Sequence, residues 1–486
     1  VTGAIARPDD ATAAGGTPGS PHLRRLLAGV LGEGEIRAVR PVTAGASKEI
    51  DLIDYVPAGG DGRAETVVLR AEPTAGAESD GMLREAALLR GAAERGVPVP
   101  RVLAAGRGGD DYPVPYVLTT FVTGESLAPR LLRWFADEGG GEDFVRELGG
   151  HLARIHAMEV PDLVDPAGTD ELADWHARYR ALGVDSAAFE WAFRWLEENR
   201  PTPIVTTLVH GDFRLGNLMV DSGRVTGVLD WELSHVGDPR EDLGWLCAPP
   251  WRFRSPHPVA GVGSREALLQ GYREAGGRSF DSADLHWWEV LSTVKWGVMC
   301  LGRGREATQG VDRRLEFALI GRRFAECEYD VLRQLGSDSI GARYETARRV
   351  VEESTENGPM RTGSEGGVDA DDAADPGDAA DTDPAVPRAG ILEEALLESM
   401  GSGYEGRLQA AALRTLMRES RAGGMLRAGD RAALARAGHA SEAALAAWIR
   451  SDSGTRPTDD ERAAVEQVVC TRLALANPAY LPRTGL

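Results

Sequence analysis

Lysine is nearly missing from this 486-residue chain: Lys48 and Lys295 are the only two, and the rest of the 54 basic residues are arginine. Against them stand 75 acidic residues, for a net charge of −21, and no stretch gathers the arginines on one face. A nucleic-acid footprint needs such a patch, so nucleic acid is not an expected partner. Cysteine is sparse as well. Cys247, Cys300, Cys327 and Cys470 lie far apart, with no C-x-x-C pair and no Cys/His cluster, which excludes a zinc site and a disulfide framework. The chain has no apolar run of about 18 residues and no basic-then-apolar leader at its start. A soluble cytoplasmic protein with no membrane partner is therefore expected. Also absent is any G-x-x-x-x-G-K-[ST] run, so a nucleotide site here cannot be a P-loop. The preference for arginine, with abundant Ala, Gly and Asp, points to a GC-rich bacterial genome.

What is present organises itself into segments. Apolar residues make up 42% of the chain, ample for packed cores, and the length predicts two or three domains. Residues 1–20 are Gly, Ala, Pro and Asp without periodicity and read as a disordered tail. Across 21–122, strand-like runs at Ile36–Val42, Lys48–Tyr55, Glu65–Ala71, Arg101–Ala105 and Pro115–Val122 flank one helix. That helix carries Met82, Ala86, Leu89 and Ala93 as a stripe and stops at Gly96 and Pro98. The result is a small lobe built on an antiparallel sheet.

Residues 123–335 are mainly helical, with stripes at Phe144, Leu148, Leu152, Ile155 and at Trp287, Leu291, Val294, Val298, Leu301. A helix over 336–356 leads into 357–388, where seven aspartates fall between 369 and 383. Such a stretch is self-repelling and reads as a flexible acidic linker. Beyond it, 389–486 reads as a separate all-α domain whose last helix opens with the capping box Thr458-x-x-Glu461 and ends at Asn477-Pro478, with Val465, Val468, Val469 and Leu473 on its apolar face. Gly401-Ser-Gly-Tyr-Glu-Gly406 matches G-x-G-x-x-G but follows a helical run, whereas a dinucleotide fingerprint follows a strand.

The chemistry concentrates in Leu208-Val-His-Gly-Asp-Phe-Arg-Leu-Gly-Asn217 and Val228-Leu-Asp-Trp231. The turn-like Asp221-Ser-Gly-Arg224 joins two apolar runs into a hairpin, which brings Asn217 and Asp230 together at its open end beside Asp212. Phosphoryl transfer from ATP needs such a set: a carboxylate to orient an acceptor hydroxyl and two hard oxygen ligands for Mg²⁺. The D-x-x-x-x-N spacing is that of kinase catalytic loops.

These residues, with Trp231-Glu-Leu-Ser-His-Val-Gly-Asp-Pro-Arg-Glu-Asp242, resemble the aminoglycoside phosphotransferase and choline kinase-like family. Within it the chain is similar to the branch whose kinase-like domain is found with acyl-CoA dehydrogenases. The resemblance covers about 25–335, and 389–486 resembles a helical domain of unknown function appended to such proteins. It implies a bilobal protein-kinase-like α+β fold, with an antiparallel-sheet N-lobe and a mainly helical C-lobe, plus the all-α C-terminal domain. It also implies Asp212 as the catalytic carboxylate, Asn217 and Asp230 as Mg²⁺ ligands, His210 as structural, and Asp242 as a brace for the catalytic loop.

In the small lobe such kinases place a cation on the third strand, held by an acid on the helix. Arg70 occupies that place in Thr66-Val-Val-Leu-Arg70, and Glu85 is its expected partner. Gly45, Ala46 and Ser47 lie in a loop suited to cover phosphates, and Thr120, Phe121 and Val122 stand where adenine would meet the interlobe backbone. His235 and Asp238 read equally well as residues that fix a loop. Ten of the eleven tryptophans lie between 134 and 296; they read as core, with Trp175, Trp191, Trp251, Trp287 and Trp288 as alternatives for an apolar acceptor pocket. Lys295 lies off its helix's apolar stripe and reads as a solvated residue. The function expected is ATP- and Mg²⁺-dependent phosphorylation of a small-molecule hydroxyl, foremost a hydroxyacyl-CoA. An aminoglycoside or macrolide kinase and a non-catalytic nucleotide-binding adaptor are the alternatives, and the C-terminal domain is a candidate surface for a protein partner.

Overall fold

Alternation of apolar and polar residues puts one face of each early strand toward a core, and the computed structural model shows where those faces go. It describes residues 20–42, 48–59, 62–72, 80–109, 112–167, 170–204, 206–356, 404–451 and 456–480. The tail over 1–19, the Gly45–Ser47 loop, the acidic linker and the glycines at 401 and 403 lie outside them. The chain divides into two compact units, one of residues up to 169 with 202–288, the other of 170–201 with 289–486.

In the first unit, helix α1 (Pro21–Leu31) precedes strands β1 (Gly34–Pro41), β2 (Glu49–Pro57) and β3 (Glu65–Ala71), helix α2 (Gly81–Glu94), and strands β4 (Val102–Gly106) and β5 (Tyr116–Thr120). The five strands form one antiparallel sheet in the order β1-β2-β3-β5-β4. Strand parity sorts its faces. Val67 and Leu69 of β3 pack with Tyr55, Tyr116, Leu118 and the α1 leucines Leu23, Leu26 and Leu27. Arg70, one residue out of phase, pairs with Val117, which packs against Met82 and Ala86 of α2. The α2 stripe continues through Leu89 to Ala92; Ala93 is exposed, a correction of one position to the expected face.

The helical part of this unit comprises α3 (Ala128–Glu138), α4 (Gly141–His156), α7 (Arg240–Cys247) and α8 (Arg265–Glu274), with the short strands β6 (Thr207–Val209), β7 (Leu218–Asp221), β8 (Arg224–Val228) and β9 (His235–Gly237) between α4 and α7. Phe144, Leu148, Leu152 and Ile155 of α4 share one core with Leu208, Phe213, Leu218, Val228, Trp231, Leu243, Leu246 and Leu268.

The second unit contains α5 (Glu171–Leu182), α6 (Ala187–Glu198), the part of α9 (Ser282–Thr308) from Glu289 on, α10 (Leu315–Arg322), α11 (Phe324–Gln334), α12 (Ile340–Glu356), α13 (Tyr404–Arg436), α14 (Glu442–Ser451) and α15 (Asp459–Ala476). The Thr458–Glu461 capping box forms at the start of α15 with both reciprocal bonds. Gly406 sits within α13.

Two expectations are corrected in this unit. Residues 404–476 do not form a core of their own: Leu426, Leu445, Ile449, Val465, Val469 and Leu473 pack in one cluster with Ala187, Trp191, Tyr329, Leu332, Tyr344 and Val351. Polar ties run the same way, from Arg450 to Glu190 at 2.8 Å, from Arg343 to Glu466 at 2.8 Å, and from Arg472 to Glu328. The division therefore does not fall at the acidic stretch. Lys295 is not solvated but buried, 3.4 Å from Glu171 and lying over the Trp175 ring; an ammonium off the apolar stripe found a carboxylate and an aromatic face instead of water.

Candidate active site

The β7–β8 hairpin turns through Ser222 (φ 48°) and Gly223 (φ 73°), the two positive-φ positions of the tight turn that suits strand twist. Its register brings the ends together: the Leu229 amide donates to the Asn217 carbonyl at 2.9 Å. Asp230 follows in the left-handed region at φ 66°, a conformation that costs free energy and persists where the surroundings impose it.

Asp212 lies on the loop between β6 and β7, buried and surrounded by donors. Its Oδ1 accepts from Arg214 Nε at 2.8 Å and from Trp245 Nε1 at 2.9 Å, and its Oδ2 accepts from Asn217 Nδ2 at 2.7 Å. A carboxylate offers about four lone-pair directions. Among the described residues, two on Oδ1 and one on Oδ2 are taken, which leaves one on Oδ2. The Asn217 amide nitrogen also reaches the Asp212 carbonyl at 2.9 Å, so its Oδ1 is the atom turned to other partners.

The loop is held from behind. Asp242 of α7 accepts from the backbone amides of His210 (2.7 Å) and Gly211 (2.9 Å), and His156 Nε2 of α4 lies 3.0 Å from it. Burial opposes ionisation of Asp242, but His156 and the His210 amide outweigh it and bring its pKa down to about 2. The other nitrogen of His156 meets the Tyr272 hydroxyl of α8 at 2.8 Å. His210 is wholly buried, with Nδ1 accepting from the Asp212 amide and Nε2 donating to the Leu229 carbonyl. Burial lowers its pKa, and these bonds suit a neutral ring that shapes the loop. His235 bonds Leu233 and Glu241, and Asp238 grips Arg240 through both oxygens; both act as loop fixtures.

On the small lobe, strand parity turns Arg70 to the α2 face, where Nη1 donates to Glu85 Oε1 and Nη2 stands 3.8 Å from Asp230. Burial would lower the guanidinium's pKa, but Glu85 and Asp230 raise it. Glu85 is buried. At the interlobe segment, the amide of Thr120 is bonded to Arg101 and that of Phe121 to Thr66, while Val122 packs over Gly227. Of these three, Thr120 and Phe121 have already committed their N–H groups within the protein.

Sequence reasoning missed several neighbours. Arg214 stood inside the motif, and Trp245 lies one turn beyond Asp242 on the same face of α7, a spacing that could have flagged it. Lys48 and Glu232 came with no such signal, because their partners are distant in sequence: Lys48 Nζ lies 3.5 Å from Glu85 and 3.4 Å from Glu232. Trp251 stacks under Arg214 beside Trp245. The remaining candidates, Trp175, Trp191, Trp287 and Trp288, are buried, as the core reading expects.

A five-stranded antiparallel sheet with helices α1 and α2 packed on it, followed by a helical region that carries a D-x-x-x-x-N loop and a hairpin carboxylate, defines a kinase-like phosphotransferase fold. Residues 56–286 match the phosphotransferase enzyme family and 399–480 match a domain of unknown function. It is 32% identical over 193 residues to mouse acyl-CoA dehydrogenase family member 10, covering 37% of this chain but only 18% of that protein. It is 26% identical over 216 residues to the uncharacterized protein YcbJ of Bacillus subtilis, covering 42% of this chain and 66% of that one. Among solved structures, a candidate aminoglycoside phosphotransferase from Ralstonia eutropha superposes with a TM-score of 0.51 at 22% identity, over 64% of this chain and 97% of that one, and shares the fold. Among the described residues no helix is long and apolar enough to cross a membrane.

Proposed function

We propose that this chain is a Mg²⁺- and ATP-dependent phosphotransferase acting on a small-molecule hydroxyl, with a hydroxyacyl thioester as its foremost acceptor. The observation that carries the reading is the donor set around Asp212, which leaves one lone pair, on Oδ2, for an incoming hydroxyl. Asn217 Oδ1 and the Asp230 carboxylate are hard oxygen donors of the kind magnesium takes, with water and phosphates completing its shell. Bound Mg–ATP would supply the transferable phosphoryl group and the divalent charge. The protein's part is to orient the hydroxyl at Asp212, hold the loop rigid through Asp242, and set Arg70 against Glu85 and Asp230. The thioester class rests on similarity to a protein named for acyl-CoA dehydrogenation.

The test is ATP consumption over a panel of hydroxyacyl-CoA thioesters, an aminoglycoside and a macrolide. Asp212→Ala is expected to lower turnover by roughly 10²–10⁴-fold while Mg–nucleotide binding persists. Full turnover by that variant would remove Asp212 from the mechanism. Turnover of the antibiotics but of no thioester would replace the acceptor class.

A further inference from the structure

Arg214 is only 8% exposed, yet its guanidinium is engaged through Nε alone, which donates to Asp212 Oδ1. Among the described residues its two terminal nitrogens have no hydrogen-bond partner. Buried donors are nearly always paired, and a guanidinium does not shed its charge inside a protein. The guanidinium carbon lies 4.7 Å over the centroid of the Trp251 ring, which fixes the plane of the fork. Where the fork points is set by Asp212. Its Oδ2 carries the Asn217 amide, on the side of Asn217 and Asp230 where magnesium and the nucleotide phosphates belong; Arg214 and Trp245 hold Oδ1. In-line transfer places the acceptor on the far side of the phosphoryl group from the nucleotide. A hydroxyl on the open Oδ2 lone pair thus extends the rest of its molecule toward Oδ1 and the Arg214 fork.

Resting on the kinase reading, we propose that the terminal nitrogens of Arg214 bind an acyl oxygen of the acceptor, a few bonds from the reacting hydroxyl. That oxygen is a thioester carbonyl or a free carboxylate. A planar cationic fork suits such oxygens and repels an ammonium, so the site selects acyl-bearing alcohols over cationic sugars. Arg214 then serves twice: Nε pins Asp212, and the fork reads the acceptor.

The test uses the full chain and pairs of acceptors that differ only in the acyl oxygen. β- and γ-Hydroxyacyl-CoA thioesters are set against the hydroxyalkyl-CoA thioethers, and the free hydroxy acids against the methyl-terminated alcohols. In the wild type at least one pair is expected to differ at least about tenfold in kcat/KM, and which pair does so identifies the source of the oxygen. Arg214→Met is expected to slow every acceptor, because the pin on Asp212 is lost, but to bring that ratio to within about threefold. Its affinity for Mg–AMP-PNP, measured by calorimetry, is expected to hold. Pairs turned over alike by the wild type overturn the proposal whether or not the variant folds. So does a ratio that survives Arg214→Met, or a loss of Mg–AMP-PNP affinity as large as the loss of turnover, which would put the fork on the nucleotide. A wild-type chain that binds Mg–AMP-PNP but turns over no acyl acceptor overturns it and leaves the kinase reading standing. If Mg–AMP-PNP does not bind and no acceptor consumes ATP, the kinase reading itself falls, and this inference with it.

Discussion

A carboxylate with one open lone pair can orient a hydroxyl only if its other lone pairs are pinned, and at Asp212 the pins are Arg214, Trp245 and Asn217. Arg214 is itself steadied by the Trp251 ring beneath it. Trp245→Phe removes one donor while keeping the aromatic bulk. A hydrogen bond to a charged group is worth about 1.5–3 kcal/mol, so kcat should fall roughly tenfold or more. The KM for ATP should hold, because the indole touches the carboxylate that faces the acceptor, whereas the thermal midpoint should fall with the lost buried bond. Steady-state kinetics of the variant decides it: a rise in KM(ATP) with kcat intact would place Trp245 on the nucleotide side. Asp212, Asn217 and Asp230 were legible in the sequence because one loop and one hairpin bring them together, and local turn chemistry is written in adjacent residues. Lys48, Glu232 and Trp245 were not, because each meets its partner only after separate elements have packed.

Among the elements, α4 and α8 cross so closely that each uses a glycine against the other's backbone. A Cβ on Gly149 would come within 2.1 Å of the Leu268 carbonyl oxygen, and one on Gly271 within 1.9 Å of that of Arg146. No backbone atom can yield that much without the helices parting. The same two helices supply His156 and Tyr272, which meet at 2.8 Å behind Asp242. Gly271→Ala should therefore cost roughly 1–3 kcal/mol or more by overpacking and should also loosen the brace on the catalytic loop. The expected result is a lower thermal midpoint together with reduced kcat at a temperature where the variant remains folded; an unchanged midpoint would mean that the crossing is not close-packed. Periodicity revealed the α4 stripe from Phe144 to Ile155, and alternation revealed the five strands of the small lobe. Neither reveals which helix a stripe will face, since an apolar face fits many partners and a bare glycine carries no signal.

At the scale of the whole chain the same ambiguity hid the way its halves are built. The family match over 399–480 and the aspartate-rich run before it both suggested a detachable domain, yet the faces of α13, α14 and α15 are buried against α6, α11 and α12. A family boundary marks what is inherited as a block and need not mark where a core closes. Removal of residues 357–486 would strip the cover from Ala187, Trp191, Tyr329, Leu332, Tyr344 and Val351 and leave Glu190 and Glu328 without Arg450 and Arg472. Each large apolar side chain so exposed forfeits about 1.5–3 kcal/mol, and the loss of the Arg450 and Arg472 partners of two buried carboxylates adds to it. Against a typical stability of about 5–15 kcal/mol, the truncated chain should be insoluble or bind a hydrophobic dye strongly. Co-expression of 389–486 as a second polypeptide should restore it, because the contacts are non-covalent. A soluble 1–356 fragment that unfolds cooperatively without the second polypeptide would show that this core closes without its C-terminal helices.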